Sequence, residues 1–230
     1  MPPTGPGPLL SIALAYAVGC ISFATVVARM RGVDIRALGS GNPGATNVGR
    51  VLGRSWGLLV LLLDVAKGFV PVWLLRAPLD GLLGEGSLPT WVVDPEGRVL
   101  VLAAAVVGHV CPVTSRFRGG KGVATFIGGA LALEPVLALL AAATHLIFKK
   151  VLGYVSLASI ALVWALPLLQ WGASAAGLDG RFVQGPGVLA MLALLVTVRH
   201  RDNFRRIREG VEDRYDDRDD APPGQSGHAA

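Results

Sequence analysis

The chain has 230 residues, of which 52% are hydrophobic, 16% are charged and 30 are glycine, and its mean hydropathy is +0.55. A soluble domain carries about 25% charged residues. This composition therefore excludes an ordinary soluble enzyme, a disordered chain and a nucleic-acid binder, and fits an all-α, polytopic integral membrane protein. The net charge of +5 then reflects Lys and Arg that hold loops on the cytoplasmic side.

The N-terminal stretch Met1–Pro8 has no basic residue, and the apolar run from Leu9 to Met30 runs into Arg29 and Arg31 without a cleavage site. It reads as a retained first span over 9–28 rather than a signal peptide. Further apolar runs occupy 56–75, 99–115, 122–148, 154–171 and 186–198. About 20 apolar residues span a bilayer as a helix.

Charge placement resolves the ambiguous run. Of the 21 basic residues, 17 fall in four clusters: Arg29, Arg31, Arg36, Arg50 and Arg54; Arg116, Arg118 and Lys121; Lys149-Lys150; and Arg199 through Arg218. The loops 77–97 and 172–185 hold only Arg181. If all four clusters lie inside, the spans between them come in even numbers. The segment 122–148 has Lys121 before it, Lys149 after it and Glu134-Pro135 at its middle. Proline disfavours helix at the residue before it, and a charge prefers the interface. The pattern predicts a hairpin of two helices, 122–133 and 135–148, each below spanning length and so tilted or set in a locally thinned bilayer.

The sum is seven transmembrane helices, with the N-terminus outside and the C-terminus cytoplasmic. A single transmembrane catalytic domain covers 1–208, and 209–230 reads as a solvated, disordered tail. No fixed-period repeat is present. Cys20 and Cys111 offer neither a disulfide framework nor metal-ligand spacing and read as packing residues.

Four polar motifs fall on the cytoplasmic side of this topology. Gly39-Ser40-Gly41-Asn42-Pro43-Gly44-Ala45-Thr46-Asn47-Val48-Gly49-Arg50 alternates glycine with short hydrogen-bonding side chains and ends on Arg. Such a loop lets backbone N–H groups approach an anion, and Arg adds a planar fork for phosphate; it also reads as a flexible turn. Asp64-Val65-Ala66-Lys67-Gly68 lies inside the second apolar run. Its i, i+3 charges share a face, either as a self-neutralising pair or as the border of a polar cavity.

Gly108-His109-Val110-Cys111-Pro112 leads to Phe117-Arg118-Gly119-Gly120-Lys121-Gly122-Val123-Ala124-Thr125. Three glycines surround one lysine at a helix start, where free N–H groups attract phosphate; the alternative is a positively charged loop with helix-breaking glycines. The spacing of a Walker A loop is missing. Last, His200 to Glu212 reads either as a basic collar on anionic head groups or as part of a site, with His200 and Asn203 on one helical face. No metal constellation is visible. Thr114, Lys150 and Arg205 stand where a His/Asp acyltransferase would need its Asp. These residues point to a membrane protein that binds phosphorylated compounds at the cytoplasmic interface.

Taken in order, Gly39–Arg50, Asp64–Gly68, Gly108–Thr125, Tyr154–Ser159 and His200–Glu212 resemble the bacterial acyl-phosphate:glycerol-3-phosphate acyltransferase family over residues 9–212. Departures are few: Cys111, Thr114 and Ser115 replace bulky apolar residues, Gly49 precedes Arg50, and Phe204 replaces an aliphatic. The resemblance implies transfer of a fatty acyl group from acyl phosphate to the 1-hydroxyl of glycerol 3-phosphate, giving lysophosphatidic acid and phosphate in the inner membrane. It implies no cofactor and no metal. Its substrates are those two small molecules, with membrane lipid around them and no nucleic acid.

On this reading the catalytic set is Lys121, His200, Asn203 and Ser40. Lys121 and the N–H groups around Gly119, Gly120 and Gly122 hold one phosphate. Ser40, Gly41, Asn42, Gly44, Asn47 and Arg50 hold the other, helped by Ser156, His200 and Asn203. Asp64, Lys67, His109 and Glu212 support them. His200 and His109 are candidate general bases, and proton transfer to the donor's own phosphate is the favoured alternative. A transporter of a phosphorylated metabolite is the competing function, and a lipid-binding scaffold the third.

Overall fold

The computed structural model describes residues 6–74, 95–178 and 185–214, and all regular structure in them is helical. Residues 75–94 and 179–184, which hold most of the first expected outer loop and Arg181 of the second, lie outside the described residues. So do 1–5 and 215–230.

The helices are α1 (Pro6–Gly19), α2 (Phe23–Met30), α3 (Ala45–Leu52), α4 (Arg54–Leu74), α5 (Pro95–Val110), α6 (Val123–Leu133), α7 (Pro135–Leu152), α8 (Val155–Ala175), α9 (Pro186–Arg199) and α10 (Arg201–Arg208). Five stretches are long and apolar enough to cross a membrane: Leu9–Met30, Arg54–Leu74, Gly97–Ser115, Pro135–Leu152 and Val155–Ala175. The apolar helices α6 and α9 are shorter.

Helix α5 is the hub. Of its span, 61% is buried, against 17% for the span of α7. Val101, Leu102, Ala105, Val106 and Val110 form its inward surface, and α1, α4, α6 and α9 pack around it. Helix α7 packs on α8 and leaves Leu139, Leu146 and Ile147 exposed, as a lipid-facing helix does.

Small residues set the helix spacing. Lipid tails are as apolar as leucine, so helices in lipid associate by close backbone contact. Gly68 of α4 lies against the Thr125 carbonyl, and Gly128 of α6 lies against the Val65 carbonyl. A side chain at either position would overlap the opposite backbone. Gly19 of α1 and Gly108 of α5 meet in the same way.

Three expected elements are corrected. The first run is not one helix: it breaks between Gly19 and Phe23, and Ser22 restarts it by accepting the Thr25 N–H at 3.4 Å. The break frees the Ile21 carbonyl, and the Lys67 ammonium donates to it at 2.8 Å.

The hairpin helices are unequal. Helix α6 ends at Leu133 before Glu134-Pro135, as expected, but α7 extends past 148 to Leu152. Lys149 and Lys150 sit in its last turn, and Gly153, at φ 71°, stops it. Long lysine stems reach the interface without ending the helix. Helix α7 is therefore long enough to span, whereas α6 is about 16 Å long at 1.5 Å per residue.

The tail is also corrected at its start. Residues 209–214 fold back onto the body. Glu212 accepts from Asn203 and Arg206, Asp213 pairs with Arg50 at 3.1 Å, and the Arg214 guanidinium stacks over Tyr154.

Candidate functional site

A cavity of about 200 Å³ opens where the ends of the helices gather their polar loops. Three segments build it. The turn before α3 gives Arg36, Ser40, Gly41, Asn42 and Pro43; the turn before α6 gives Gly119 and Lys121; and the α9–α10 corner gives Arg199, Arg201, Asp202, Asn203 and Arg206. Sequence positions about 160 residues apart thus share one wall. The lining carries five arginine and lysine side chains on three separate segments against one carboxylate, Asp202, which suits an anion.

The first segment is a folded loop followed by a helix, not a flexible turn. Helix α3 starts at Ala45 with Gly44 at its cap. Asn47 is buried and organises the loop before it. Its Oδ1 accepts the Ser40 N–H at 2.9 Å, and its Nδ2 donates to the carbonyls of Ile35 and Leu38 at 3.1 and 3.0 Å. Every hydrogen-bonding position it uses here is taken by its own chain, so Asn47 shapes the loop rather than facing a phosphate. Gly41 adopts φ 69°, a left-handed conformation that glycine enters without strain. This turn presents Ser40 and Asn42 to the cavity.

The second segment corrects the expected N–H cradle. The N–H groups of Gly119 and Gly120 donate inward, each at 3.1 Å, to the Val110 and His109 carbonyls at the end of α5. They are not available to a phosphate. The glycines are needed for approach instead, because a Cβ at Gly119 would overlap the His109 carbonyl and one at Gly120 the His109 ring. Gly122, at φ 93°, caps α6 and packs on Val110 and Val106. Gly120, Gly122 and Gly44 do not line the cavity.

Lys121 is the central charge. Its Nζ donates to Asn203 Oδ1 at 2.5 Å, and Asn203 Nδ2 donates to Glu212 Oε1 at 2.6 Å. Glu212 Oε2 accepts from Arg206 Nε at 2.7 Å. Burial pushes the Lys121 ammonium down to about 8, with Glu212 pulling the other way and Arg206 and Arg50 adding to the fall. Burial alone would raise the Glu212 carboxyl, but hydrogen bonds from Asn203 and Arg206 and the Arg206 charge hold it below the usual range.

His200 is the residue between α9 and α10, and it is buried. Its Nδ1 lies 2.7 Å from the Val196 carbonyl. A carbonyl only accepts, so Nδ1 carries the proton and Nε2 is left as an acceptor. Burial, then the Lys121 charge, pushes the imidazole down to about 4. Ser156 is buried beside the Glu212 carboxylate. Arg50 stands in the last turn of α3, paired with Asp213, and its charge reaches Lys121.

Asp64 and Lys67 do not border the cavity. They pair at 2.7 Å within α4, both buried, and Lys67 also holds the broken first helix. His109 lies between that pair, 3.8 Å from Asp64, and Gly120. The pair is a structural pin. Among the described residues no group of His, Cys, Asp and Glu could hold a metal ion.

The residues missed from sequence are Arg36, Arg199, Arg201, Asp202 and Arg206 as lining groups. In the sequence Arg36 and Arg199 count only as topology charges, and Arg201, Asp202 and Arg206 as members of the His200–Glu212 motif. Arg36 four positions before Ser40 and Arg199 directly before His200 were the available signal.

Comparison with known proteins identifies the family. Residues 9–210 match the family described as glycerol-3-phosphate acyltransferase. The glycerol-3-phosphate acyltransferase of Geobacter sulfurreducens is 41% identical over 207 residues, which is 90% of this chain and 97% of that protein. That of Bordetella petrii is 42% identical over 218 residues, 92% of this chain and 96% of the other. The fold resembles the crystal structure of PlsY (YgiH), an integral membrane glycerol 3-phosphate acyltransferase, in its glycerol 3-phosphate form. The TM-score is 0.76 at 37% identity, over 91% of this chain and 96% of that one. The lysophosphatidic acid form of the same protein gives 0.73 over 90% and 94%. This chain belongs to the glycerol-3-phosphate acyltransferase family.

Proposed function

We propose that this chain transfers a fatty acyl group from acyl phosphate to the 1-hydroxyl of glycerol 3-phosphate at the cytoplasmic face of a bacterial inner membrane. The products are lysophosphatidic acid and phosphate. The observation that carries the reading is the Lys121 ammonium, fixed by Asn203 and Glu212 in a cavity that also holds Ser40, Asn42 and four arginines. Both substrates are phosphorylated, and so is each product.

In the reaction the hydroxyl oxygen attacks the acyl carbon. The carbon–oxygen bond to phosphate breaks, and phosphate leaves with the electron pair. Acyl phosphate is already activated, so positioning and charge stabilisation supply most of the catalysis. Lys121 and the arginines balance the leaving phosphate. Ser40 and Asn42 orient the acceptor. Arg50 enters the same phosphate site when it exchanges Asp213 for substrate.

The hydroxyl proton goes to a phosphate oxygen. A phosphate group on an organic substrate has its second pKa at about 6, and a general base works best near the operating pH. His200, pushed down to about 4, is a weaker base than that oxygen. Its role is to accept a hydrogen bond at Nε2. His200→Ala therefore lowers the rate and leaves a measurable residue, whereas complete loss in a folded, substrate-binding variant would return the base to His200.

The exposed leucines of the outer helices favour seven crossings, with α6 and α9 as the short ones, N-terminus outside and C-terminus inside. The fatty chain lies between helices, because the cavity itself is polar. The deciding measurement is phosphate release together with lysophosphatidic acid formation by purified protein given palmitoyl phosphate and glycerol 3-phosphate. Equal yields of both products, lost in Lys121→Ala, are expected. No turnover by folded protein would remove the acyl-phosphate reading.

A further inference from the structure

The Lys121 loop is held from two sides. On its inner side, the N–H groups of Gly119 and Gly120 donate to the end of α5. On its outer side, three consecutive carbonyls accept from arginines. Arg36 Nη1 donates to the Arg118 carbonyl at 2.7 Å. Arg199 donates twice, from Nη2 to the Gly119 carbonyl at 3.0 Å and from Nε to the Gly120 carbonyl at 3.4 Å. Both arginines line the cavity.

This arrangement answers an electrostatic problem. A loop that turns its N–H groups inward meets an incoming phosphate with carbonyl oxygens, whose partial negative charge repels it. An arginine on each carbonyl reverses that sign and leaves further N–H donors, since one guanidinium carries five. The two arginines also come from different elements. Arg36 precedes the Ser40 turn, and a Cβ at Gly41 would press on the Arg36 carbonyl. Arg199 ends α9, next to His200.

We propose that Arg36 and Arg199 are positioning residues that clamp the carbonyls of residues 118–120, and so register the Lys121 ammonium against both the Ser40 turn and the Asn203 corner. The inference rests on the acyltransferase reading and adds to it two residues that act through Lys121. The two clamps differ in geometry. Arg36 makes one bond, which an ammonium can copy. Arg199 spans two successive carbonyls with a rigid fork, which an ammonium on a flexible stem cannot copy.

The test compares R36Q, R36K, R199Q and R199K with the unaltered protein in phosphate release from palmitoyl phosphate and glycerol 3-phosphate. Thermal unfolding in detergent is followed alongside. R199Q is expected to lose on the order of 100-fold in kcat/KM, the scale of a displacement near 1 Å at a reacting group. R36Q is expected to lose about tenfold, as for one charge-assisted bond. Lysine should restore most of the rate at position 36 and little at 199. If R199Q fails to fold, folded R199K still decides the question. Wild-type rate in R199K, or equal rescue by lysine at both positions, would overturn the clamp. An inactive unaltered protein would instead overturn the acyl-phosphate reading.

Discussion

Two buried charge clusters divide the work of this molecule. In the middle of α4, Asp64 and Lys67 face each other at 2.7 Å, and Lys67 also donates to the Ile21 carbonyl. At the helix ends, Lys121 has no carboxylate partner of its own among the described residues. It donates to the neutral Asn203, and the nearest carboxylate of that chain, Glu212, is shared with Arg206. The first cluster is closed and electrically neutral. The second keeps a surplus of positive charge beside a cavity. A mutually neutralised pair holds helices together, and a cation beside a cavity waits for an anion.

The sharpest way to break the comparison is to delete each lysine. Lys121→Ala should lower kcat/KM by about 100- to 1,000-fold, the range for losing one preorganised charge-stabilising donor, while thermal unfolding in detergent stays close to the parent. Lys67→Met should do the reverse. It leaves Asp64 buried and unpaired, which destabilises by about 3–5 kcal/mol, and the fraction that stays folded should turn over at close to the parental rate. Loss of turnover in folded Lys67→Met would place α4 in the site after all.

A pH profile sharpens the contrast. Lys121, held down to about 8 by burial, loses its proton as pH rises through that value. The protonated form binds phosphate, so kcat/KM should fall about tenfold per unit above pH 8. A profile flat to pH 10 would show that Lys121 does not carry the charge. His200, held near 4, should contribute no acid limb between pH 5 and 7.

Smaller effects belong to the flanks. Glu212→Gln removes the charge behind Asn203 while keeping the shape, and about a tenfold loss of kcat/KM is expected for one hydrogen bond to a charged group. Cys111→Ala should leave turnover within twofold. Cys111 is free, lies outside the cavity lining and accepts the Tyr16 hydroxyl only through its backbone carbonyl.

Much of this was legible in the chain. Apolar runs fixed the all-helical class, because backbone groups in lipid are satisfied within a helix. Glu134-Pro135 marked a real helix break, since proline acts on its immediate neighbour. Ser40, Asn42, Lys121 and Asn203 came from residue chemistry and family resemblance, and the structure brings them to one cavity. The boundaries that failed depended on partners far along the chain. The break at 20–22 is held by Lys67, 46 residues away from Ile21, and residues 209–214 are ordered by Arg50, Tyr154, Asn203 and Arg206.

By itself the sequence determined where polar chemistry could survive in an apolar chain, and it did so through periodicity, charge and glycine placement, which are local properties. Tertiary structure decided which way each group points. Gly119 and Gly120 look like phosphate-cradling donors in a string of letters. Only the approach of α5 turns their N–H groups inward, and only the approach of Arg36 and Arg199 neutralises the carbonyls left behind. A peptide group has two polar ends, and the neighbours that pack against it select which one the substrate meets.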